Sequence, residues 1–84
     1  MFYVYVLKSL KDGLLYYGYT NDLKRRLVEH TKGLNKSTKH RLPIKLVYYE
    51  AYASQADARA RELRLKNSAG AYTALKRRIP VSLR

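Results

Sequence analysis

Two tyrosines near the start of the chain are the first candidates for chemistry. Tyr5 and Tyr16 lie on the two arms of a predicted β-hairpin, at positions that pair within a residue or two. Two phenols side by side on one sheet face can hold a water and a phosphate oxygen together. Because a phenol has an ordinary pKa of about 10, catalysis by either one would need a nearby cation to lower that pKa.

Arg26 and His30 supply such candidates, four residues apart on the edge of one face of the first predicted helix. A guanidinium at this position can bind a phosphate through two parallel hydrogen bonds. Two structural alternatives stay open. Arg26 can be a surface cation beside Lys24 and Arg25. His30 can be a half-buried histidine whose hydrogen bonds are satisfied.

Acidic residues are scarce, with six Asp plus Glu in 84 residues, so each one is informative. Glu62 lies in the middle of the second predicted helix. It can be the single carboxylate ligand of a hard cation, because Mg²⁺ is commonly held by one or two carboxylates plus substrate phosphate. It can equally form a helical ion pair with Arg59 or Lys66. The spacing alone does not decide between these interpretations.

Three strands are predicted from runs of β-branched and aromatic residues. Residues 2–7 and 14–19 are two such runs, and the Asp-Gly pair at Asp12 and Gly13 predicts the hairpin turn between them. Residues 44–52 form the third run, rich in Val, Leu and Tyr.

The first helix is predicted from a capping sequence at residues 20–22. Leu23, Leu27 and Leu34 recur at spacings that share one helical face, and Gly33 marks the expected end of the helix.

Two further helices are predicted in the last third of the chain. Ser54 and Asp57 resemble a capping box at the start of the second helix. The expected buried stripe of this helix consists of Ala56, Ala60 and Leu63. A break near residues 68–70 precedes a last helix over residues 71–78.

These elements predict an α+β fold, with a three-stranded antiparallel sheet flanked by helices in the order ββαβαα. The length allows one domain, over residues 1–84, with one modest core. The order of the strands within the sheet does not follow from the pattern.

Net charge is the most unusual feature of the composition. Lys plus Arg number 18 against 6 Asp plus Glu, which gives a net charge of +12. These excess positive charges repel one another in the folded state, so a polyanion is the natural partner of the protein. No helix segregates its basic residues opposite an apolar face as a membrane-surface helix does. Nucleic acid is therefore the expected partner, and packing against RNA as a structural protein is the remaining alternative.

The sequence contains no Cys, which excludes disulfides and thiolate metal sites and fits a reducing cytoplasm. The apolar run at residues 1–7 is too short for a signal peptide or a membrane span. A cytoplasmic protein is expected.

Tyr3-Val4-Tyr5 and Tyr16-Tyr17-Gly18 form two short motifs on either side of the hairpin turn. Together with the stretches that follow them, they resemble the GIY-YIG nuclease family, and its small stand-alone bacterial branch in particular. The resemblance covers nearly the whole chain. The matching stretches after the first motif are residues 16–30, 35–39, 46–50 and 61–66.

The resemblance implies hydrolysis of a DNA phosphodiester with one Mg²⁺ or Mn²⁺. Tyr5 and Tyr16 match the motif tyrosines, of which one would activate water and the other would orient phosphate or metal-bound water. Arg26 matches the arginine that stabilises the pentacovalent transition state. His30 matches a position that assists as base or phosphate ligand. Glu62 matches the carboxylate that binds the metal.

The sequence departs from the family pattern at three positions. Tyr3 stands where the first half-motif has Gly, and Tyr17 stands where the second has Ile. Many family domains carry an asparagine near their end, and Asn67 is the local candidate, although its spacing matches poorly. This last departure concerns substrate orientation more than the reaction.

With a single domain, the basic residues themselves must hold the nucleic acid. The expected contacts lie in the first helix, in a polar loop over residues 31–41 and near the C-terminus: Lys24, Arg25, Lys36, Lys39, Arg41, Lys76 and Arg77. Such contacts position phosphates without reading bases, which predicts weak sequence preference. A preference for branched, nicked or single-stranded DNA and a role in DNA repair or recombination are expected. The rival interpretation is a basic nucleic-acid-binding module on the same fold that does not cut.

Overall fold

A three-stranded antiparallel sheet carries helices on both faces, and the computed structural model describes all of residues 1–84. The elements are β1 (Phe2–Ser9), β2 (Leu15–Thr20), α1 (Leu23–Thr31), a 3₁₀ turn (Lys39–Arg41), β3 (Ile44–Tyr52), α2 (Gln55–Asn67) and α3 (Ala69–Arg78). The predicted α+β class and the predicted order ββαβαα are confirmed. The 3₁₀ turn lies within the predicted loop.

The strand order is β2-β1-β3, so the first strand lies in the middle of the sheet. It pairs antiparallel with both neighbours. Four consecutive side chains of β1 are buried: Val4, Tyr5, Val6 and Leu7. A strand that is covered on both faces needs such an uninterrupted apolar run, which explains why β1 shows no alternation with polar residues.

Alternation along β1 sends its side chains to two different layers. Val4 and Val6 belong to the main apolar core, together with residues of α2 and α3: Ala58, Leu65, Ala71 and Leu75. Tyr5 lies between the two valines and therefore points to the opposite face. There its hydroxyl meets His30 of α1. One face of the sheet thus carries the apolar core, and the other carries the phenol and the histidine.

The hairpin register brings the two candidate tyrosines onto one face. Tyr5 lies opposite Gly18, and Tyr16 lies opposite Leu7, two positions further along. Residues that are offset by two positions across an antiparallel pair share a face and contact each other diagonally. The predicted pairing within a residue or two is confirmed.

Helix α1 begins at the predicted cap and ends earlier than its apolar pattern indicates. The Asp22 carboxylate accepts a hydrogen bond from the Arg25 backbone N–H at 3.1 Å. Gly33 has a φ of +75°, which glycine adopts readily, and it follows the helix end as predicted. The prediction that Leu34 shares the buried face was wrong, because α1 ends at Thr31 and Leu34 is 69% exposed.

Helix α2 begins at the predicted cap, where the Ser54 hydroxyl accepts from the Asp57 backbone N–H. Its predicted buried stripe was wrong: Ala56, Ala60 and Leu63 are exposed. Ala58 and Leu65 are the buried residues. The half-buried Arg61 and Glu62 lie between them in sequence, so polar side chains take part of the inward surface. A prediction from hydrophobicity alone therefore chose the wrong face of α2 as the buried face.

Helix α3 begins at Ala69, two residues before the predicted start. Ser68 ends α2 and also caps α3, because its hydroxyl accepts from the Ala71 backbone N–H at 3.2 Å. A single residue therefore makes the predicted break between the helices. None of the helices has the length and apolar character that crossing a membrane requires.

Gly18→Ala is expected to destabilise the fold, because the added Cβ would lie 2.2 Å from the Cζ atom of Tyr5. Both Gly18 and Tyr5 are held in sheet register, so overpacking should cost about 1–3 kcal/mol in the free energy of unfolding. Gly70→Ala is the matched control, since its Cβ would meet only the Ser68 hydroxyl, at 3.8 Å. That variant should gain about 0.5–1 kcal/mol. Urea unfolding measures both, and equal stabilities would contradict the close approach of Tyr5.

Candidate active site

A buried hydrogen bond joins strand β1 to helix α1. The Tyr5 hydroxyl lies 2.9 Å from Nε2 of His30, and both side chains are almost inaccessible to solvent. The register that places Tyr5 opposite Gly18 makes this contact possible, because the ring crosses the open space above the glycine. Any side chain at position 18 would block the path of the phenol towards α1.

The other nitrogen of His30 is also occupied. Its Nδ1 lies 2.6 Å from Oγ1 of Thr38, which is fully buried. Thr38 belongs to the segment between α1 and β3, so this contact holds that segment against α1. The histidine is thus the satisfied residue that the structural alternative predicted. Its partner Tyr5 nevertheless makes it part of a chain of three polar side chains.

Electrostatics favour the neutral forms of Tyr5 and His30. Burial raises the pKa of the Tyr5 phenol well above its ordinary value. Burial also lowers the pKa of His30, and the charge of Arg26 lowers it further. We infer that the protonated phenol donates to Nε2 of the neutral imidazole, which leaves the ring proton on Nδ1 to be donated to Thr38.

His30 contacts the Tyr5 hydroxyl directly and the Tyr16 ring lies against His30, while Arg26 and Glu62 influence the Tyr5 phenol through their charges. After burial, the pKa of Tyr5 responds to Tyr16, which raises it, to Arg26, which lowers it, and to Glu62, which raises it. The Tyr16 ring centroid lies 5.4 Å from that of His30, in an edge-to-face arrangement. The Tyr5 ring lies 5.6 Å away from the same imidazole. Two strands and two helices therefore bring these side chains together.

Arg26 is held on α1 but keeps an unused donor. Its Nε lies 3.3 Å from Oε1 of Glu29, close enough for an ion pair. The alignment does not make a hydrogen bond, so this buried nitrogen has no hydrogen-bond partner. The side chain is 32% exposed, so Arg26 is not the fully solvated surface cation of the structural alternative. An anion entering beside it would find a donor available.

Glu62 lies at the edge of the buried surface of α2, with its side chain 16% exposed. Its carboxylate lies 3.1 Å from Nζ of Lys66, one of the two ion-pair partners considered from spacing. The other, Arg59, packs over the Tyr19 ring at 5.1 Å from the centroid. The Lys66 pair is partly exposed and therefore of modest strength.

Sequence reasoning missed a second polar cluster, which fixes α2 against β3. Glu50 accepts hydrogen bonds from Nε and Nη2 of Arg61 at 3.0 and 3.1 Å and from the Tyr48 hydroxyl at 2.7 Å. It also accepts from the Tyr52 hydroxyl. The hydroxyls of Tyr48 and Tyr52 therefore both point to one carboxylate. Alternation along a strand puts residues 48, 50 and 52 on one face, and this was the available signal.

Electrostatics show that this cluster is a strong contact. Burial by itself raises the pKa of Glu50, but the hydrogen bonds from Arg61, Tyr52 and Tyr48 outweigh it and hold the pKa below its ordinary value. Burial and the Glu50 carboxylate together raise the pKa of Tyr52 to about 12. Since Arg61 directly precedes Glu62, the cluster fixes the part of α2 that carries Glu62.

The predicted nucleic-acid contacts are dispersed over three regions. Most of these side chains are exposed: Lys24, Arg25, Lys36, Lys39, Lys76 and Arg77. Arg41 differs, because its Nε lies 3.5 Å from the Asp12 carboxylate and the side chain is only 23% exposed. It also donates to the Leu15 carbonyl, so it braces the hairpin. Lys76 places its ammonium 4.6 Å from the centre of the Tyr72 ring.

Comparison with known proteins agrees with this arrangement. The family model of the GIY-YIG catalytic domain matches residues 1–77, which is most of the chain and includes all five site residues. The chain belongs to the GIY-YIG family. The matching family model describes a catalytic domain. The half-motif glycine at position 18 also has a structural reason here, since it admits the Tyr5 ring.

Relatives of this GIY-YIG domain are found among small bacterial proteins. A UPF0213 protein of Bacillus pumilus is 48% identical over 65 residues, which are 76% of this chain and 65% of that protein. A UPF0213 protein of Streptococcus agalactiae is 49% identical over 65 residues, 76% of this chain and 73% of its own. The match to the first thus spans just under two thirds of its length.

A solved structure of the same group is also similar. The solution NMR structure of a UPF0213 protein from Bacillus halodurans is 38% identical and superposes with a TM-score of 0.56. The match covers 89% of this chain and 82% of that one. It supports the placement of this GIY-YIG domain in the small stand-alone bacterial group.

Thr38→Val tests whether Thr38 satisfies the buried His30. The substitution keeps the shape but leaves Nδ1 without a partner, and a buried unsatisfied donor costs about 1–3 kcal/mol in the free energy of unfolding. Thr31→Val is the matched control, because the Thr31 side chain is exposed on the last turn of α1. It should change stability by less than about 0.5 kcal/mol. Chemical denaturation compares the two, and equal stabilities would argue against the His30–Thr38 bond.

Proposed function

We propose that this protein is a metal-dependent endonuclease that hydrolyses DNA phosphodiester bonds with little intrinsic sequence preference. The observation that carries the proposal is the hydrogen bond between the Tyr5 hydroxyl and Nε2 of His30, at the centre of the five-residue site. The pair also holds α1 against the sheet, but packing alone does not require the arginine with an unused donor on the same helix.

The pair supplies a path for a proton. Because burial raises the pKa of Tyr5, its phenol is protonated before the reaction, and a preformed phenolate does not act as the base. Instead, the phenol oxygen takes a proton from the attacking water while its own proton passes to Nε2 of His30. The water oxygen bonds to phosphorus, the bond from phosphorus to the leaving oxygen breaks, and that oxygen takes a proton from solvent. Thr38 accepts from the Nδ1 proton throughout and keeps the imidazole oriented. Tyr16, on the same face, orients the phosphate or the water.

Arg26 binds the scissile phosphate. Its buried Nε lacks a hydrogen-bond partner, and the rest of the guanidinium is accessible. A fixed positive charge aimed at the pentacovalent phosphorus stabilises the charge that builds up in the transition state. Such groups are worth about 2.7–4 kcal/mol in other enzymes.

Glu62 is the residue that would hold Mg²⁺ or Mn²⁺. No group of three or more His, Cys, Asp or Glu side chains in the chain could hold a metal ion by itself. A single carboxylate fits Mg²⁺, which is usually bound through one or two carboxylates, waters and substrate phosphate. When bound, the cation would neutralise charge on the phosphate oxygens. The Glu50–Arg61 contact holds the preceding residue of α2 and thereby positions Glu62.

Exposed basic side chains outside the site would bind the DNA backbone. Lys24 and Arg25 lie on α1, next to Arg26, and are the nearest along the chain to the scissile phosphate. Lys36, Lys39, Lys76 and Arg77 would extend the contact. Arg41 contributes less, since Asp12 already pairs with it. Contacts of this kind read the backbone and not the bases, which suits selectivity for DNA structure and a role in repair or recombination.

Tyr5→Phe and Glu62→Ala should each lower DNA cutting by at least about 100-fold, because one removes the proton path and the other the metal ligand. Asp57→Asn is the matched control, since this exposed carboxylate lies on the same helix outside the site. The assay uses supercoiled plasmid and branched DNA with Mg²⁺, Mn²⁺ or EDTA, and DNA binding is measured alongside.

The result separates the nuclease from the rival binding module. Metal-dependent cutting that both variants lose, while they still bind DNA, supports the proposed site. Tight binding with no cutting under any condition favours a non-catalytic module. Cutting that both variants retain would rule out these roles for Tyr5 and Glu62.

A further inference from the structure

Tyr3, which stands in place of the motif glycine, lines a groove that the proposed reaction does not use. The groove has a volume of about 450 Å³ and lies between the start of α1 and strand β3. Its apolar walls are formed by two tyrosines and three leucines: Tyr3, Tyr49, Leu23, Leu27 and Leu46. The rings of Tyr3 and Tyr49 meet edge to face, with centroids 6.1 Å apart. Tyr49 is 52% exposed, so an aromatic surface faces solvent.

The groove lies next to the candidate active site along strand β1 and helix α1. Tyr3 precedes Tyr5 by two residues on the same strand, so both side chains leave the same face, about 7 Å apart along the strand. Leu27 directly follows Arg26 on α1. A DNA strand that places a phosphate at Arg26 can extend along this face of the sheet towards the groove.

The chemistry of the groove fits a nucleobase better than a phosphate. Aromatic and leucine side chains form most of its surface, and bases stack on such side chains without regard to sequence. Asn21 and the Asp22 carboxylate lie at the polar side and can offer oxygen acceptors to an N–H group of a base. Lys24 lines the same groove and supplies positive charge for the adjoining backbone.

We propose that this groove binds an unstacked nucleobase next to the scissile phosphate. The inference rests on the proposed nuclease function and names its substrate class, which is single-stranded or distorted DNA. A base inside an intact duplex cannot reach the groove without being unpaired and unstacked, and this costs free energy that a single strand or branch point does not require.

The test compares the binding of two single strands in EDTA, where cutting plays no part. One is oligothymidylate, and the other is a deoxyribose-phosphate backbone of equal length and charge without bases. The protein should bind the strand with bases about 5-fold to 150-fold more tightly, as expected for one stacked base. Tyr3→Ala and Tyr49→Ala should remove most of this preference and leave binding of the abasic strand unchanged.

Tyr3→Phe should keep the preference, because the ring remains. Leu63→Ala removes an exposed apolar side chain from α2, away from the groove, and should also keep it. Equal affinity of the protein for the two strands overturns the proposal, and so does a preference that survives in both alanine variants. If the protein binds the strand with bases more tightly but never cuts DNA, the proposed nuclease function is refuted and the groove remains a base-binding site.

Discussion

The approach of the Tyr5 ring across Gly18 is the constraint on which the rest of this structure depends. It lets a phenol from the middle of the sheet reach His30 on α1, at a distance of 2.9 Å. A buried hydroxyl and a buried imidazole each need a partner, because an unpaired polar group in the interior is costly. Tyr5 and His30 satisfy each other, and Thr38 satisfies the remaining nitrogen. The chain of three therefore fixes α1 and the segment after it against the sheet.

The two faces of the sheet carry different groups of residues. Val4 and Val6 anchor the apolar core under α2 and α3, which holds the fold together. The opposite face carries the Tyr5–His30–Thr38 hydrogen-bond chain and the groove lined by Tyr3. In a chain of 84 residues only one core can form, so the site must be supported from that core. The Glu50–Arg61 contact is one such support, since it ties α2 to β3 beside Glu62.

Much of the fold could be predicted from local signals. The caps at Asp22 and Ser54, the turn at Gly13 and the three apolar strands depend on neighbouring residues, and the structure confirms them. The strand order does not depend on local signals, because each strand has a similar apolar pattern. The rotation of α2 was mispredicted because Arg61 takes an inward position through its partner Glu50.

The candidate site, like the fold, could be predicted only in part from the sequence. Its five candidate residues could be named from their types, their spacing and the family resemblance, and the structure places the rings of Tyr5 and Tyr16 against His30. The residues that hold these five side chains in place could not be predicted from the sequence. Thr38 and Glu50 act through partners 8 and 11 residues away in sequence, and strand alternation marks only the tyrosine partners of Glu50, not Arg61. The groove at Tyr3 depends on the pairing of β1 with β3, which only the sheet order reveals.

The most direct test of the account is the ¹⁵N NMR spectrum of the His30 ring as the pH is lowered. The account predicts a neutral ring with its proton on Nδ1 and an unprotonated Nε2, and this state should persist below the ordinary histidine pKa of about 6.5, because burial and Arg26 lower the pKa of His30. Stability should then fall as the pH drops through the lowered folded-state pKa. A proton on Nε2, or a charged ring at neutral pH, would contradict the proton path from Tyr5.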